Sequence, residues 1–402
     1  MLDALPPHGR AAVSWDPLTA EQREIRDLVR TVAHDRIAPR AAEIDATHEF
    51  PWDVVELFRE HGFFGLLYPE EYGGTGTGAL VALVAIEEVS KACATSGLIL
   101  AVQELGSLGI KLAGSEEQRA TWLPRLAAGD VLAAYALTEA GSGSDSAQLG
   151  TIARREGDAY VLNGSKRFIT NAGVAGLYTV FAKTDPGAGH DGISAFLVEA
   201  DAPGFTVSRL EEKMGICGST TGELLFDDCI VPAGNLLGDE GTGFRLAMRI
   251  LDRSRPGIAA QALGIAQAAT DYALEYARSR ATMGRPIAQH QLIAAKLADM
   301  ETKTEAARGL LYRCGRMVDE GADPAELTKA SAMAKLYCGD VAMEVTTEAV
   351  QVLGGYGYIR EYPVERFMRD AKITQIYEGT QEVQRLVIAR EMLKERRVAV
   401  AT

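Results

Sequence analysis

Apolar residues recur three and four positions apart over the first third of the chain, a spacing that predicts amphipathic helices. The first helix is predicted to begin after Thr19, an N-cap followed by an acidic first turn, and its apolar stripe runs to Ile37 before Pro39 interrupts it. Further helices are predicted over residues 51–61, 79–92 and 116–128. Residues 18–130 are therefore predicted to form a helical domain.

The pattern changes to short strands separated by Gly, Pro and Asp between residues 132 and 243. Strands are predicted at residues 151–155, 159–162, 165–169, 178–183, 193–199, 205–209 and 223–226. Asn163-Gly164 is typical of a two-residue hairpin turn, so it is predicted to join the second and third of these strands. Since no helical pattern is interleaved, we expect a middle antiparallel β domain and not a doubly wound sheet.

Helical spacing returns from residue 244 onward, with long amphipathic helices predicted at 287–320, 325–353 and 380–396. Long helices joined by short connections favour an antiparallel bundle. The predicted fold class is therefore α+β and multidomain. It comprises a disordered leader (1–17), an N-terminal helical domain (18–130), a middle β domain (131–243) and a C-terminal four-helix-bundle-like domain (244–402).

Composition narrows the function classes. The chain has 41 Lys and Arg against 55 Asp and Glu, a formal net charge of −14, which argues against a nucleic-acid-binding protein. A local arginine or a helix N-terminus could still hold an anionic ligand. The five cysteines are widely spaced without a C-x-x-C pair, so we expect buried free thiols in a reducing compartment, with neither a disulfide framework nor a metal site.

Neither a targeting segment nor a membrane span is predicted. Residues 1–14 lack the apolar core of a signal peptide. The apolar runs at 79–86 and 131–137 are too short to cross a bilayer. These observations predict a cytoplasmic protein with no membrane association.

Four stretches carry a resemblance to a known family: residues 135–145 (YALTEAGSGSD), 163–171 (NGSKRFITN), 351–357 (QVLGGYG) and 369–380 (RDAKITQIYEGT). In this order and at these separations they resemble the acyl-CoA dehydrogenase family, and the resemblance extends over roughly residues 18–395. It implies FAD as cofactor and oxidation of an acyl-CoA thioester to a trans-2-enoyl-CoA. The flavin N5 would accept the β-hydride, and an electron-transferring flavoprotein would accept the electrons.

The resemblance also assigns the cofactor-binding residues. The flavin ring would be lined by Tyr135, Leu137, Thr138, Gly143, Ser144, Phe168, Ile169 and Thr170. Contacts with the FAD of a neighbouring subunit would come from Arg280, Met283, Gln291, Gln351, Gly354 and Gly355, with final FAD contacts from Thr380 and Glu382. The sequence departs from the usual family pattern at Ala140 in place of Pro and at Phe168 in place of Trp; Met283 stands where Phe is frequent. Contacts across a subunit boundary imply a homotetramer, built as a dimer of dimers.

Glu378 is the catalytic base that the resemblance implies, and Ser144, Asp252, Ser254, Arg255 and Gly379 are the implied substrate-binding residues. Some family members carry the base on the helix near residue 254, but a serine hydroxyl cannot deprotonate a thioester α-carbon unaided. Ile376, Tyr377 and a bound acyl chain would remove water from the carboxylate of Glu378, so we expect a raised pKa suited to a base.

The acyl group is predicted to be short, straight or lightly branched, with roughly four to six carbons. The helix and loop predicted over residues 96–109, including Ile99, resemble the pocket floor of short-chain family members. Alternatives are an acyl-CoA oxidase, a dehydrogenase of carrier-protein thioesters, and an inactive flavin-binding relative. Oxidases of this kind usually carry a further C-terminal domain, so the dehydrogenase is preferred.

Overall fold

The computed structural model describes residues 18–399, with side chains through residue 394. The predicted leader, residues 1–17, lies outside the described residues. Helices form the N-terminal and C-terminal parts, and a β-sheet lies between them in the chain, which confirms the predicted fold class.

The N-terminal part consists of α-helices whose starts are fixed by side-chain caps. Thr19 and Gln22 form a reciprocal capping box at the first helix, and Ser115 and Gln118 form another at the sixth. Pro39 does not end the helical path, because the chain continues through a π turn and a 3₁₀ turn into the second helix. The helices are α1 (Ala20–Val32), α2 (Ala41–Thr47), α3 (Trp52–Glu60), α4 (Ala79–Ala92), α5 (Ala94–Ala113) and α6 (Glu116–Ala127).

Helix α5 is a single uninterrupted helix, so the loop predicted within residues 96–109 is wrong. It is long and apolar enough to cross a membrane by length and composition alone, but 78% of that stretch is buried inside the protein. The helix is buried on nearly all sides, and a helix without a face exposed to solvent does not need a polar stripe. This accounts for its continuous apolar sequence. Helix α5 is therefore a core helix of this fold.

The middle part is an eight-stranded sheet with the order β6-β7-β3-β2-β4-β5-β8, and β1 pairs with β4. Pairing is antiparallel except for β1 with β4 and a single bridge between β2 and β4, which are parallel. The strands are β1 (Ala133–Ala136), β2 (Ile152–Glu156), β3 (Ala159–Thr170), β4 (Leu177–Lys183), β5 (Ile193–Glu199), β6 (Phe205–Leu210), β7 (Thr221–Pro232) and β8 (Leu236–Leu237). A separate hairpin joins β9 (Ala281–Thr282) and β10 (Arg285–Pro286).

The hairpin turn predicted at Asn163-Gly164 is wrong, because both residues lie inside the continuous strand β3. The register with β7 shifts between Leu162 and Gly164, so the extra residue forms an irregularity within the ladder. Gly164 has φ of 147°, and a Cβ there would lie 2.6 Å from Oγ1 of Thr151 on the neighbouring segment. The glycine thus permits close approach of two strands and not a chain reversal.

The C-terminal part is a bundle in which α9 packs against α7, α8, α10 and α11. Helix α7 also packs against α4 and α5, so both helical parts share one core. The five cysteines are free and buried, as predicted. The helices are α7 (Gly243–Ser279), α8 (Gln291–Asp319), α9 (Pro324–Leu353), α10 (Val364–Ile373) and α11 (Gln381–Ala399).

Candidate functional site

A cavity of about 610 Å³ opens where the sheet meets helices α5, α7 and α11. This volume is typical of a small-molecule site. Apolar side chains from the three helices form much of its wall: Leu98, Val102, Leu105, Met248, Leu251, Ile258, Val383, Leu386 and Val387. Ile99, expected at the pocket floor, is buried but is not among the lining residues. The cavity can therefore enclose an apolar group.

Most of the predicted flavin and substrate residues line this one cavity. They are Tyr135, Leu137, Thr138, Gly143, Ser144, Phe168, Ile169, Thr170, Asp252, Arg255, Glu378 and Gly379. Ser254 is not in the wall, but it contacts Glu378 directly. Thr380 and Glu382 also lie outside the wall, where helix α11 begins, and the Thr380 hydroxyl accepts the Val383 N–H at 3.4 Å. The structure thus brings together residues from four distant segments of the sequence.

Glu378 occupies the connection between α10 and α11 and faces the cavity. The Ser254 hydroxyl of α7 donates a hydrogen bond of 2.6 Å to its Oε2. The residue as a whole is half-buried because it borders the cavity, yet the carboxylate is closely surrounded by protein. Burial raises the pKa of Glu378 to about 7, although Ser254, Arg255 and Lys335 act in the opposite direction. A carboxylate with this pKa is well matched to accepting a proton near neutral pH.

Arg255 and Tyr135 place two further polar groups near this carboxylate. Arg255 is 4% exposed and donates from Nη1 to Asp252 at 2.7 Å, and the Thr328 hydroxyl donates to the other oxygen of Asp252 at 2.7 Å. The Arg255 Nε and the Tyr135 hydroxyl are buried without a hydrogen-bond partner among the described residues. Burial, followed by the charge of Glu378, raises the pKa of Tyr135, so its hydroxyl stays protonated and able to donate.

An ion pair between a fully buried lysine and a partly buried glutamate fixes the glycine-rich segment that borders the cavity. Lys166 of β3 has a side chain that is 0% exposed, and its Nζ donates to Glu139 at 2.7 Å. Glu139 also accepts from the backbone N–H groups of Gly150 and Thr151 and from the Thr151 hydroxyl. Burial lowers the pKa of Lys166 to about 8 against the opposing effect of Glu139. These bonds hold both ends of residues 139–150 against the sheet.

The residues around Phe168 fit a flat aromatic cofactor such as a flavin. Phe168 has φ of 57° at an irregularity of β3 and is 60% exposed at the cavity, an unusual position for a large apolar ring. Gly141 and Gly143 have open space where a Cβ would project, so the backbone there can approach a ligand closely. Thr138 and Thr170 add hydroxyl groups to the same wall.

A second pocket, of about 490 Å³, lies at the far end of α7. It is lined by Arg280, Gly354 and Gly355, with Tyr276 and Tyr356 close by. Three other residues predicted for a neighbour's FAD lie outside its lining: Met283, Gln291 and Gln351, all exposed. Arg255 and Arg280 are 25 residues apart along α7, which corresponds to about 38 Å. The nearest lining residues of the two pockets on this helix, Ile258 and Tyr276, are 18 residues apart, or about 27 Å.

Lys335 and Gln384 contact the segment that carries Glu378, and neither was predicted from the sequence. Lys335 donates to the Gly379 carbonyl at 2.6 Å, and Gln384 donates to the carbonyls of both Glu378 and Gly379. The sequence contains one indication that Lys335 is buried: it lies on the same face of a predicted helix as Ser331 and Cys338, at helical spacing. Gln384 offered no comparable signal.

The fold and the site define an enzyme class: a buried carboxylate of raised pKa beside an apolar cavity suits proton abstraction from an apolar substrate. Family models for the N-terminal, middle and C-terminal domains of acyl-CoA dehydrogenases match residues 19–130, 134–229 and 241–393. The chain therefore belongs to the acyl-CoA dehydrogenase family, and it is a flavin-dependent oxidoreductase.

Similar proteins are known from several bacteria. An acyl-CoA dehydrogenase of Bacillus subtilis (strain 168) is 48% identical over 377 residues, which are 94% of this chain and 99% of the relative. The cyclohexane-1-carbonyl-CoA dehydrogenase of Geobacter metallireducens is also 48% identical, over 93% of this chain and 98% of the relative.

Solved structures show the same similarity. The butyryl-CoA dehydrogenase of Megasphaera elsdenii has a TM-score of 0.91 at 44% identity and covers 94% of this chain and 99% of its own. A chain in a structure described as the electron transferring flavoprotein of Acidaminococcus fermentans has a TM-score of 0.92 at 46% identity, over 94% of this chain and 98% of that one.

Proposed function

We propose that the protein is an acyl-CoA dehydrogenase that forms a trans double bond between Cα and Cβ of a short acyl thioester, with Glu378 as the base. The observation that carries this proposal is the carboxylate of Glu378, whose pKa burial raises to about 7 at the wall of an apolar cavity. A base for the weakly acidic α-proton needs this combination of proton affinity and exclusion of water.

Each protein group has a distinct part in the reaction. Glu378 takes the α-proton, while Ser254 holds one of its carboxylate oxygens in place. The backbone N–H of Glu378 stabilises negative charge that develops on the thioester oxygen. Phe168, Thr138 and Thr170 orient the flavin at the cavity wall, and Arg255 with Asp252 forms the wall beside the acyl-CoA. Bound FAD supplies the hydride-accepting chemistry.

The first test is the absorbance of the purified, FAD-loaded protein on addition of butyryl-CoA under anaerobic conditions. We expect the flavin to bleach, because the substrate reduces it. A carrier-protein butyryl thioester, added in parallel, tests that alternative, and admission of oxygen after bleaching distinguishes a dehydrogenase from an oxidase by hydrogen peroxide formation. Flavin that stays oxidised with every thioester would contradict the proposed reaction.

Substrate length is tested in the same assay with straight, branched and cyclic acyl-CoA thioesters. We expect kcat/KM to be greatest at about four to six carbons, with gradual decline, since one methylene in an apolar pocket changes binding by only ~1–3 kcal/mol. The similarity to butyryl-CoA dehydrogenase supports a short chain, and the similarity to cyclohexane-1-carbonyl-CoA dehydrogenase makes a compact ring worth including. An optimum at ten carbons or beyond would rule out the short-chain assignment.

We further propose that the second pocket serves the FAD of a neighbouring subunit in a homotetramer. Arg280 can pair with phosphate groups, and Gly354 and Gly355 leave room for the backbone to approach a ligand. The separation of the two pockets along α7, about 27 Å between Ile258 and Tyr276, supports a cofactor held between two subunits. Light scattering should give the mass of a tetramer, and flavin absorbance should give one FAD per subunit. A monomer that retains FAD tightly would contradict this proposal.

Two further proposals concern the electron acceptor and the cellular location of the protein. We propose an electron-transferring flavoprotein as the electron acceptor, supported by the similarity to a chain in the Acidaminococcus fermentans flavoprotein structure. Five buried free cysteines are consistent with the proposed cytoplasmic location, where thiols remain reduced.

A further inference from the structure

The backbone that carries Glu378 has an uncommon conformation. Glu378 has φ of 53° and Gly379 has φ of 90°, so two consecutive residues lie in the left-handed region. For a residue with a side chain this conformation is costly and persists only when its surroundings hold it. The carboxylate direction therefore depends on the groups that fix the two adjacent peptide units.

Those groups come from two different helices. Gln384 of α11 donates from Nε2 to the Glu378 carbonyl at 3.1 Å and to the Gly379 carbonyl at 2.9 Å. Lys335 of α9 donates from Nζ to the same Gly379 carbonyl at 2.6 Å. Lys335 is 0% exposed and does not border the cavity, so it contacts the base segment and not the ligand.

A buried ammonium at this place requires nearby negative charge. The charged groups that act on Lys335 are Glu378 and Glu382, Arg255 of α7 and Asp340 of its own helix. Its Nζ makes one further contact, to Oε1 of Gln381 at 3.3 Å. If the Lys335 side chain only filled space in the helix bundle, an apolar residue of similar volume could replace it at little cost in stability. Its direct hydrogen bond to the carbonyl of Gly379, the residue after Glu378, indicates a different role.

We propose that Lys335 is a positioning residue for the reaction: its ammonium holds the Gly379 peptide, and with it the left-handed conformation that directs the Glu378 carboxylate, and its charge favours the ionised base. This role rests on the proposed function of Glu378. It is carried by the 2.6 Å bond, the complete burial of Lys335 and the paired positive φ angles.

The electrostatics of the site agree with this role. Burial is the largest influence on the pKa of Glu378 and raises it, whereas Ser254, Arg255 and Lys335 lower it. Burial lowers the pKa of Lys335 to about 8, so the side chain is still mostly charged at pH 7. Since Glu378 must be ionised to accept a proton, removal of the Lys335 charge should raise the pKa of Glu378 and move the rising part of the pH–rate profile to higher pH.

The test uses FAD-loaded Lys335→Met and Lys335→Gln with anaerobic reduction by butyryl-CoA from pH 5.5 to 9 by stopped flow. Lys335→Met should reduce flavin at least about 10-fold more slowly at pH 7, and the midpoint of its pH–rate profile should rise by about one unit. Lys335→Gln, which can still donate to the carbonyl, should recover part of the limiting rate at high pH but keep the raised midpoint.

Two further variants separate positioning from charge and from general stability. Gln384→Met removes a neutral donor to the same peptides, so it should lower the limiting rate without moving the midpoint. Lys303→Met removes a half-exposed lysine that pairs with Glu344 on the bundle surface, and it should change neither quantity. If Lys335→Met does not fold with FAD, the comparison of Lys335→Gln with Gln384→Met still tests the proposal.

Unchanged midpoints in both Lys335 variants would overturn the proposed role, as would a loss of melting temperature with an unchanged limiting rate. The wild-type protein distinguishes this failure from that of the proposed function. If butyryl-CoA bleaches wild-type flavin but the variants show the wild-type profile, only the role of Lys335 is wrong. If wild-type flavin is not reduced by any thioester, the reaction itself is wrong.

Discussion

Glu378→Gln should reduce flavin more slowly than the wild-type protein by at least about 10²–10⁴-fold, because the amide cannot accept the α-proton. The substitution preserves side-chain size, and the amide oxygen can still accept the hydrogen bond from Ser254. FAD content and acyl-CoA binding should therefore remain near those of the wild-type protein. Single-turnover reduction by butyryl-CoA, measured by stopped flow, gives the rate directly.

Glu344→Gln is the matched control, since Glu344 is an exposed residue of α9 that pairs with Lys303 and does not line the cavity. It should reduce flavin at the wild-type rate. In the wild-type protein the rate should rise with pH through about 7, where Glu378 loses its proton. A Glu378→Gln variant that reduces flavin within a few-fold of the wild-type rate would refute the assignment of the base.

Glu139→Ala should produce the largest loss of stability among the substitutions at this site. It leaves the fully buried ammonium of Lys166 without its carboxylate and removes the acceptor for the Gly150 and Thr151 N–H groups. Breaking one side of a buried ion pair costs ~3–5 kcal/mol. We expect the melting temperature to fall by at least about 5 °C and the purified protein to contain substoichiometric FAD, because the segment beside the flavin loses its anchor.

The double variant Glu139→Ala/Lys166→Met separates the charge from the hydrogen bonds. Removing both partners eliminates the unpaired charge, so much of the lost thermal stability should return. FAD content should stay low, since Gly150 and Thr151 still lack their acceptor. If Glu139→Ala alone melts within about 1 °C of the wild-type protein, the Glu139–Lys166 ion pair is not needed for stability.

Sequence periodicity predicted the regular helices well, because a buried stripe on a long helix leaves a strong local pattern. The helix predicted at 79–92 is observed as Ala79–Ala92. The Asn163-Gly164 turn was wrong because a local preference for a hairpin was overridden by pairing of β3 with β2 on one side and β7 on the other. In the same way, full burial of α5 removed the need for the loop predicted inside it.

The site was predicted mainly through family resemblance. The raised pKa of Glu378 was expected from Ile376, Tyr377 and a bound acyl chain, and burial does raise it. Ile376 itself is 48% exposed and does not line the cavity, whereas Tyr377 does. Its supporting contacts could not be predicted, because they join residues far apart in sequence. Lys335 contacts Gly379 across 44 positions, and Ser254 contacts Glu378 across 124. Only the packing of α7, α9 and α11 around one loop creates these pairs.

The left-handed backbone at Glu378 makes this position a compromise between durability and activity. A non-glycine residue at φ of 53° stores roughly 1–3 kcal/mol of conformational strain, and a carboxylate in this apolar setting adds the cost of leaving water. Glycine would relieve both costs, but it would also remove the carboxylate that faces the buried ammonium of Lys335 and accepts the hydrogen bond from Ser254. The change in melting temperature of Glu378→Gly therefore measures how far the strain and the desolvation outweigh those two contacts. Engineering a thermostable version of this enzyme therefore requires turnover to be screened together with melting temperature, because the proposed catalytic residue has a backbone conformation that is costly to the fold.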